Sequence, residues 1–302
     1  MLKPDKIFIF ASYFILIISM NLNAAPKQTI QYENYHFVSE AKDSIYVKRL
    51  VSKIEKRLKL IEDFFNYTPR SIITIIITRS EAEYVSYSGD AVPEWSQALA
   101  LTNEKIILLK IINADDIIRS PEILLHEIVH IFFEDKIGNH RIPVWIHEGI
   151  AQYLSGYELT INDRIHLANA LVSNNIVSLT SMDTLFSFSQ VKARLAYIEA
   201  LTAIQFIIRD HGVDGLKLLV QNLATRISVD EAFEKSLGYD FIDFEIDWYA
   251  EIQKQNRWLI ILNFENILWI SIILLAIFTI IIIKIRNHKL EKLWEDDINL
   301  IE

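Results

Sequence analysis

The chain contains no cysteine. That absence removes disulfides, iron–sulfur clusters, thiolate zinc sites and cysteine nucleophiles together. An excess of basic charge is lacking as well. Against 39 Asp and Glu stand 30 Lys and Arg in 302 residues, a formal net charge of −9, which argues against a nucleic-acid partner. Long apolar runs number two, Ile7 to Met20 and Ile267 to Ile283, too few for a multi-span channel or transporter. No internal repeat or low-complexity linker is visible, and at 51% apolar residues the chain is too hydrophobic for disorder.

The mean hydropathy of +0.22 is high for a soluble enzyme, and the two terminal runs carry the excess. The first follows Lys3 and Lys6 and precedes Leu22-Asn23-Ala24, the pattern of a basic n-region, an apolar h-region and a cleavage site. A signal peptide over residues 1–24 is the expectation. An uncleaved signal anchor is the alternative, and it leaves the following domain on the same side. The second run has only Ser271 and Thr279 as polar residues and carries Trp269 near its outer edge. At about 1.5 Å rise per residue the full span is expected over 264–285. Lys284, Arg286, Lys289 and Lys292 come next, so the positive-inside rule makes 286–302 a cytoplasmic tail, with a solvated acidic end, and 25–257 an extracytoplasmic domain. An outer domain of this size without cysteine points to a bacterium. The expectation is a single-pass protein of the bacterial inner (cytoplasmic) membrane, its main domain periplasmic or otherwise extracytoplasmic and its C-terminal helix in the lipid.

Within the outer domain, apolar residues recur at helical spacing from Ile45 to about Asn66, and Pro69 ends that helix. Ile72 to Thr78 is β-branched throughout and reads as a buried strand. Gln97 to Leu101 and Lys105 to Ile111 are further strands around the turn Thr102-Asn103-Glu104. Ser120-Pro121 reads as a helix start, with serine as N-cap and proline first in the helix. More helices are expected at about 145–155, 161–173, 190–211, 214–225 and 240–256. Strands first and helices after make an α+β fold with a sheet lobe and a helical lobe.

His126-Glu127-Ile128-Val129-His130 lies in the helix after Pro121. Spacing i, i+4 puts both imidazoles on one face within reach of one ion, with Glu127 beside them. A catalytic zinc takes three protein ligands and one open position, so two histidines are one ligand short. Pro143-Val144-Trp145-Ile146-His147-Glu148-Gly149-Ile150-Ala151-Gln152-Tyr153 presents Glu148 from a second helix, and Glu148 can supply the third. Here the chain resembles the gluzincin metallopeptidases, in which H-E-x-x-H is followed downstream by a glutamate ligand. Within them it looks like the bacterial peptidase MA-like domain family, whose second motif also has tryptophan three residues before the glutamate and glycine directly after it. The resemblance continues through Ala196-Tyr197-Ile198-Glu199-Ala200, Ile208-Arg209-Asp210-His211-Gly212 and Asp230-Glu231-Ala232-Phe233, and covers about residues 70 to 253.

The resemblance implies a zincin-like fold: an N-terminal mixed β-sheet lobe with the active-site helix, followed by a helical lobe. It implies one Zn2+ per chain on His126, His130 and Glu148, Glu127 as general base, and a peptide or protein substrate. Independently of the resemblance, the substrate is expected across the lobe junction, its backbone pairing with an edge strand, for which Gln97 to Leu101 is the candidate. Tyr197 is the candidate donor to the oxyanion, with His211 and Tyr153 competing for that role. Two departures stand out. Gln152 replaces the acidic residue that relatives usually carry four residues after the glutamate ligand. The Gly-x-Met-Glu-Asn signature of zinc aminopeptidases is missing, which favours an endopeptidase. The motif lies far from both apolar runs, which argues against an intramembrane protease. Two other functions stay open: a catalytically vestigial binding or assembly module of a membrane complex, and an amide hydrolase acting on cell-wall peptides. His140 and His147 read as loop or rim histidines, and Tyr32, Tyr35, Trp95 and Trp248 as packing residues.

Overall fold

The computed structural model describes residues 26–89, 96–137, 142–182, 188–256, 258–259 and 264–299. The expected signal peptide, Trp95 and His140 lie outside the described residues. The chain divides into two compact units, the first made of the chain up to His140 with Ile150–Tyr157, the second of Arg141–Gly149 with everything from Glu158 on.

The first unit is built on a five-stranded mixed sheet of order β1-β2-β3-β5-β4, comprising β1 (Lys27–Tyr32), β2 (Tyr35–Glu40), β3 (Ile73–Thr78), β4 (Ala98–Leu101) and β5 (Ile106–Lys110). β1 and β2 form an antiparallel hairpin, β2, β3 and β5 run parallel, and β4 closes the far edge antiparallel to β5. Parallel neighbours need a crossover. Helix α1 (Ser44–Phe65) makes the one between β2 and β3, burying Val47, Leu50, Ile54, Leu58 and Ile61 at helical spacing. It stops at Asn66, which takes the left-handed conformation at φ 45° while the Tyr67 amide donates to the Glu62 carbonyl at 3.0 Å. Side chains alternate across the sheet. Ile76 and Leu108 pack with Tyr84 of α2 (Glu81–Ser88), whereas Ile73, Ile75, Ile77, Ile107 and Leu109 are buried on the opposite face.

Helix α3 (Ala114–Ile137) packs on α1, β4 and β5. It starts seven residues before the proline that the sequence reading takes as its first residue. Its cap is Asn113: the Asp116 amide donates to Asn113 Oδ1 at 3.0 Å, and the Asn113 amide donates back to Asp116 Oδ2 at 3.1 Å. Pro121 therefore sits inside a helix, where it leaves the Ile117 carbonyl without its amide donor. The Ser120 hydroxyl, fully buried, donates to that carbonyl at 2.9 Å and repairs the ladder. At the other end Phe132 and Phe133 pack on Phe65, and Asp135 accepts from the Tyr67 hydroxyl at 2.8 Å and pairs with Lys105.

The second unit is helical: α5 (Ile161–Val172), α6 (Gln190–Ala224), α7 (Val229–Leu237) and α8 (Phe241–Asn256), joined by the first half of α4 (Val144–Ser155). Gly212 breaks α6 with φ 68°, at the boundary expected between helices 190–211 and 214–225. Trp145, Phe206, Phe233, Phe241 and Phe244 form one aromatic core, in which Trp145 stacks on Phe244 with centroids 5.6 Å apart. Trp248 is buried too and donates to Thr202 Oγ1 at 3.1 Å, a packing role as expected.

Helix α9 (Phe264–Asn299) differs from all of these. Its stretch Ile267–Leu290 has a mean hydropathy of 2.8 and none of it is buried, so one C-terminal helix is long and apolar enough to cross a membrane. The helix does not stop at 285 but continues to Asn299.

Candidate metal centre

One helical turn separates His126 from His130 on α3, and their rings lie 4.7 Å apart, centroid to centroid, at 85° to each other. A carboxylate oxygen of Glu148 joins them. One ligand atom from each of the three lies within 4.8 Å of the others. Two imidazole nitrogens and a carboxylate oxygen are the donor set that zinc accepts, and a fourth, open position suits water. The residues present therefore fit a divalent metal. The histidines are half-buried and Glu148 is buried, so the group combines access with partial exclusion of water. Glu127 is half-buried and follows His126 directly.

The second motif acquires a physical meaning in the second unit. Trp145 is 1% exposed and anchors the first turn of α4 in the aromatic core. Gly149 lies where a Cβ would meet the Ala200 carbonyl oxygen at 2.5 Å and Ile204 Cγ1 at 2.6 Å. Tryptophan and glycine thus press the turn that bears Glu148 flat against α6, which sets the height and rotation of the carboxylate. The end of the helix is equally tied: Gly156, at φ 88°, closes it as the Tyr157 amide donates to the Gln152 carbonyl at 3.1 Å. Gln152 itself is buried.

The contact at Ala200 bears on the other candidates. Tyr197 is half-buried one turn before Ala200, so the backbone turn carrying it runs beside the turn of α4 that carries Glu148. His211 lies 14 residues further along α6, about 21 Å at the usual helical rise, and its Nε2 is 3.1 Å from the Tyr239 hydroxyl. Tyr153 is half-buried in the last turn of α4. His147 does not belong to the three-residue donor group.

One buried ionisable group escaped sequence reasoning. Glu199, on α6 beside Ala200, has no exposed surface and accepts from the Val177 amide with both oxygens at 3.2 Å. Burial pushes its carboxyl up to about 9, against the weaker pull of the Val177 amide and Lys192, so it carries its proton at neutral pH. Nothing in a single helical glutamate signals this, because its burial comes from the α6 face that meets α4 and the 175–182 segment.

The sequence profile of the Peptidase MA superfamily matches residues 65–254, which include the donor group and the helices that carry it. The chain belongs to the Peptidase MA superfamily. Its family supports a peptidase. It is also similar to the uncharacterized protein YhcO of Bacillus subtilis (strain 168), at 20% identity over 245 residues, covering 76% of this chain and 72% of that protein.

Proposed function

We propose that the protein is a membrane-anchored zinc metallopeptidase of gluzincin type with a zincin-like fold. The observation that carries this reading is the convergence of His126, His130 and Glu148 to within 4.8 Å in a chain of peptidase family. His126, His130 and Glu148 hold the metal. Zinc bound there supplies Lewis-acid activation of a water and polarises the scissile carbonyl. Glu127, next to the first ligand, takes the proton of the attacking water and returns it to the leaving amine, which splits peptide hydrolysis into two proton transfers through one carboxylate. Tyr197 donates a hydrogen bond to the developing oxyanion. The edge strand β4, last in the sheet among the described residues, offers its outer backbone edge to an extended peptide substrate, a mode that fixes the chain and leaves side-chain selection to the surroundings.

The membrane part of the reading rests on α9. Residues 264–285 cross the bilayer, 286–302 form the cytoplasmic side, 1–24 are the export signal, and the catalytic domain 25–257 faces outward at a bacterial cytoplasmic membrane. Glu127→Gln tests the chemistry. A fall in peptide hydrolysis of about 10²–10⁴-fold with zinc content unchanged is the expected result. Full activity of a zinc-loaded Glu127→Gln protein would sink the mechanism.

A further inference from the structure

The chain is acidic overall, yet α1 is not. Six Lys and Arg fall within residues 48–59. Arg57 turns inward over Gly156, where its Nη1 donates to the Leu154 carbonyl at 3.5 Å. The other five, Lys48, Arg49, Lys53, Lys56 and Lys59, are all exposed, and at about 100° per residue they share an arc of roughly 140° opposite the buried stripe. Among the described residues no ion pair involves any of the five. Glu55 lies at the margin of the arc and Asp63 at its C-terminal end. Two aliphatic side chains stand in the same arc, Ile45 at 67% exposure and Leu60 at 49%.

We propose that this outward face of α1 docks on the anionic headgroups of a lipid bilayer. A row of five cations has a charge complement in phosphate headgroups, and Ile45 and Leu60 stand exposed near the two ends of that row, while the apolar stripe of α1 itself stays in the protein core. The proposal draws on the reading of α9 as an anchor. Only residues 257–263 separate the end of α8 at Asn256 from the start of α9 at Phe264, a connection no longer than about 28 Å when extended. With α9 in the bilayer, a tether of that length keeps the body near the headgroups, and a face that can turn toward them does so at an effective concentration near millimolar, where weak charge attraction adds to the anchor.

The cysteine-free chain allows a clean test. Ser52 lies in the middle of the arc and is exposed, so Ser52→Cys in the full chain takes a single fluorophore. The labelled protein is reconstituted in phosphatidylcholine vesicles, or in vesicles that also contain phosphatidylglycerol, with a headgroup quencher in each. Quenching is expected in the anionic vesicles alone, and molar salt abolishes it. Replacing Lys48, Lys53, Lys56 and Lys59 by Gln, which keeps helix propensity, lowers the docked-to-undocked ratio about 100-fold or more, at roughly fivefold per charge. Equal quenching in both vesicle types, quenching insensitive to salt or to the four substitutions, or no quenching in anionic vesicles overturns the proposal. Binding to polyglutamate without quenching in anionic vesicles assigns the face to an acidic protein and overturns it too. Flotation with neutral vesicles reads the anchor separately. A chain that fails to float there refutes the anchor, and salt-sensitive flotation on anionic vesicles, present or absent, then decides for or against the lipid-docking face.

Discussion

His126 and His130 owe their closeness to a single turn of α3, whereas Glu148 joins them from α4. The first relation is local. Any helix through residues 126–130 produces it, and the capping at Asn113, the Ser120 repair and the Phe65–Phe133 packing serve only to place the helix. The second is tertiary. The rotation and height of α4 depend on Trp145 filling an aromatic pocket and on Gly149 letting two helix backbones approach closely. A donor group of this kind is strong where the helix makes it and sensitive where packing makes it.

Trp145→Ala attacks the sensitive half most directly. Removing a fully buried indole costs about 3–5 kcal/mol, and zinc retention after dialysis should fall with it; denaturant melts and metal analysis on one preparation measure both. Gly149→Ala is expected to cost about 1–3 kcal/mol, since its methyl group meets the Ala200 carbonyl oxygen and a backbone atom cannot swing aside. Unchanged stability with unchanged zinc would show that α6 does not set the height of Glu148.

Glu199 probes the platform behind α4 through pH. The unfolded carboxyl ionises near 4.5, and the folded one only near 9, so between these values the folded chain keeps a proton that the unfolded chain releases. Stability contributed by this group therefore falls as pH rises through that window. Glu199→Gln removes the slope: little change is expected near pH 4.5, and a gain on the order of 1–3 kcal/mol at pH 8. Parallel pH profiles of unfolding for variant and wild type would mean that Glu199 ionises normally. Ser120→Ala is the mildest of the set and the control for the other half. Losing the bond to the Ile117 carbonyl costs about 1 kcal/mol, and because the 126–130 turn lies beyond the defect, zinc retention is expected to stay as in wild type. A large loss of zinc from this variant would erase the contrast between the two helices.

The same division runs through what could be read in advance. Helix α1, strands β3 and β5, edge strand β4 and the break at Gly212 follow from apolar spacing, β-branched runs and glycine, and they stand close to where those patterns put them. The β1/β2 hairpin was not expected. Its turn uses Glu33, held at φ 48°, and Asn34 in place of an Asn-Gly pair, and its outer strand is mostly exposed, so the alternation is weak. Helices α2 and α7 are short, but each carries a readable cap, Ser80 accepting from the Glu83 amide and Ser228 from the Glu231 amide. Pro121 misled because its sequence context is the same at a helix start and inside a helix. Inside the helix the neighbouring hydroxyl bonds the Ile117 carbonyl that the proline leaves without its amide donor.

By itself the sequence determined the residue types and spacings: no thiol for a metal, two imidazoles one turn apart, a glutamate between tryptophan and glycine, an apolar segment of spanning length, and six Lys and Arg crowded into residues 48–59 of an acidic chain. These are properties of neighbours along the chain, where helical periodicity alone decides who faces whom. Tertiary structure decided the rest. The approach of Glu148 to the histidines, the burial that keeps Glu199 protonated and the exposure of five cations on α1 all depend on which surfaces pack together, and no local spacing specifies that.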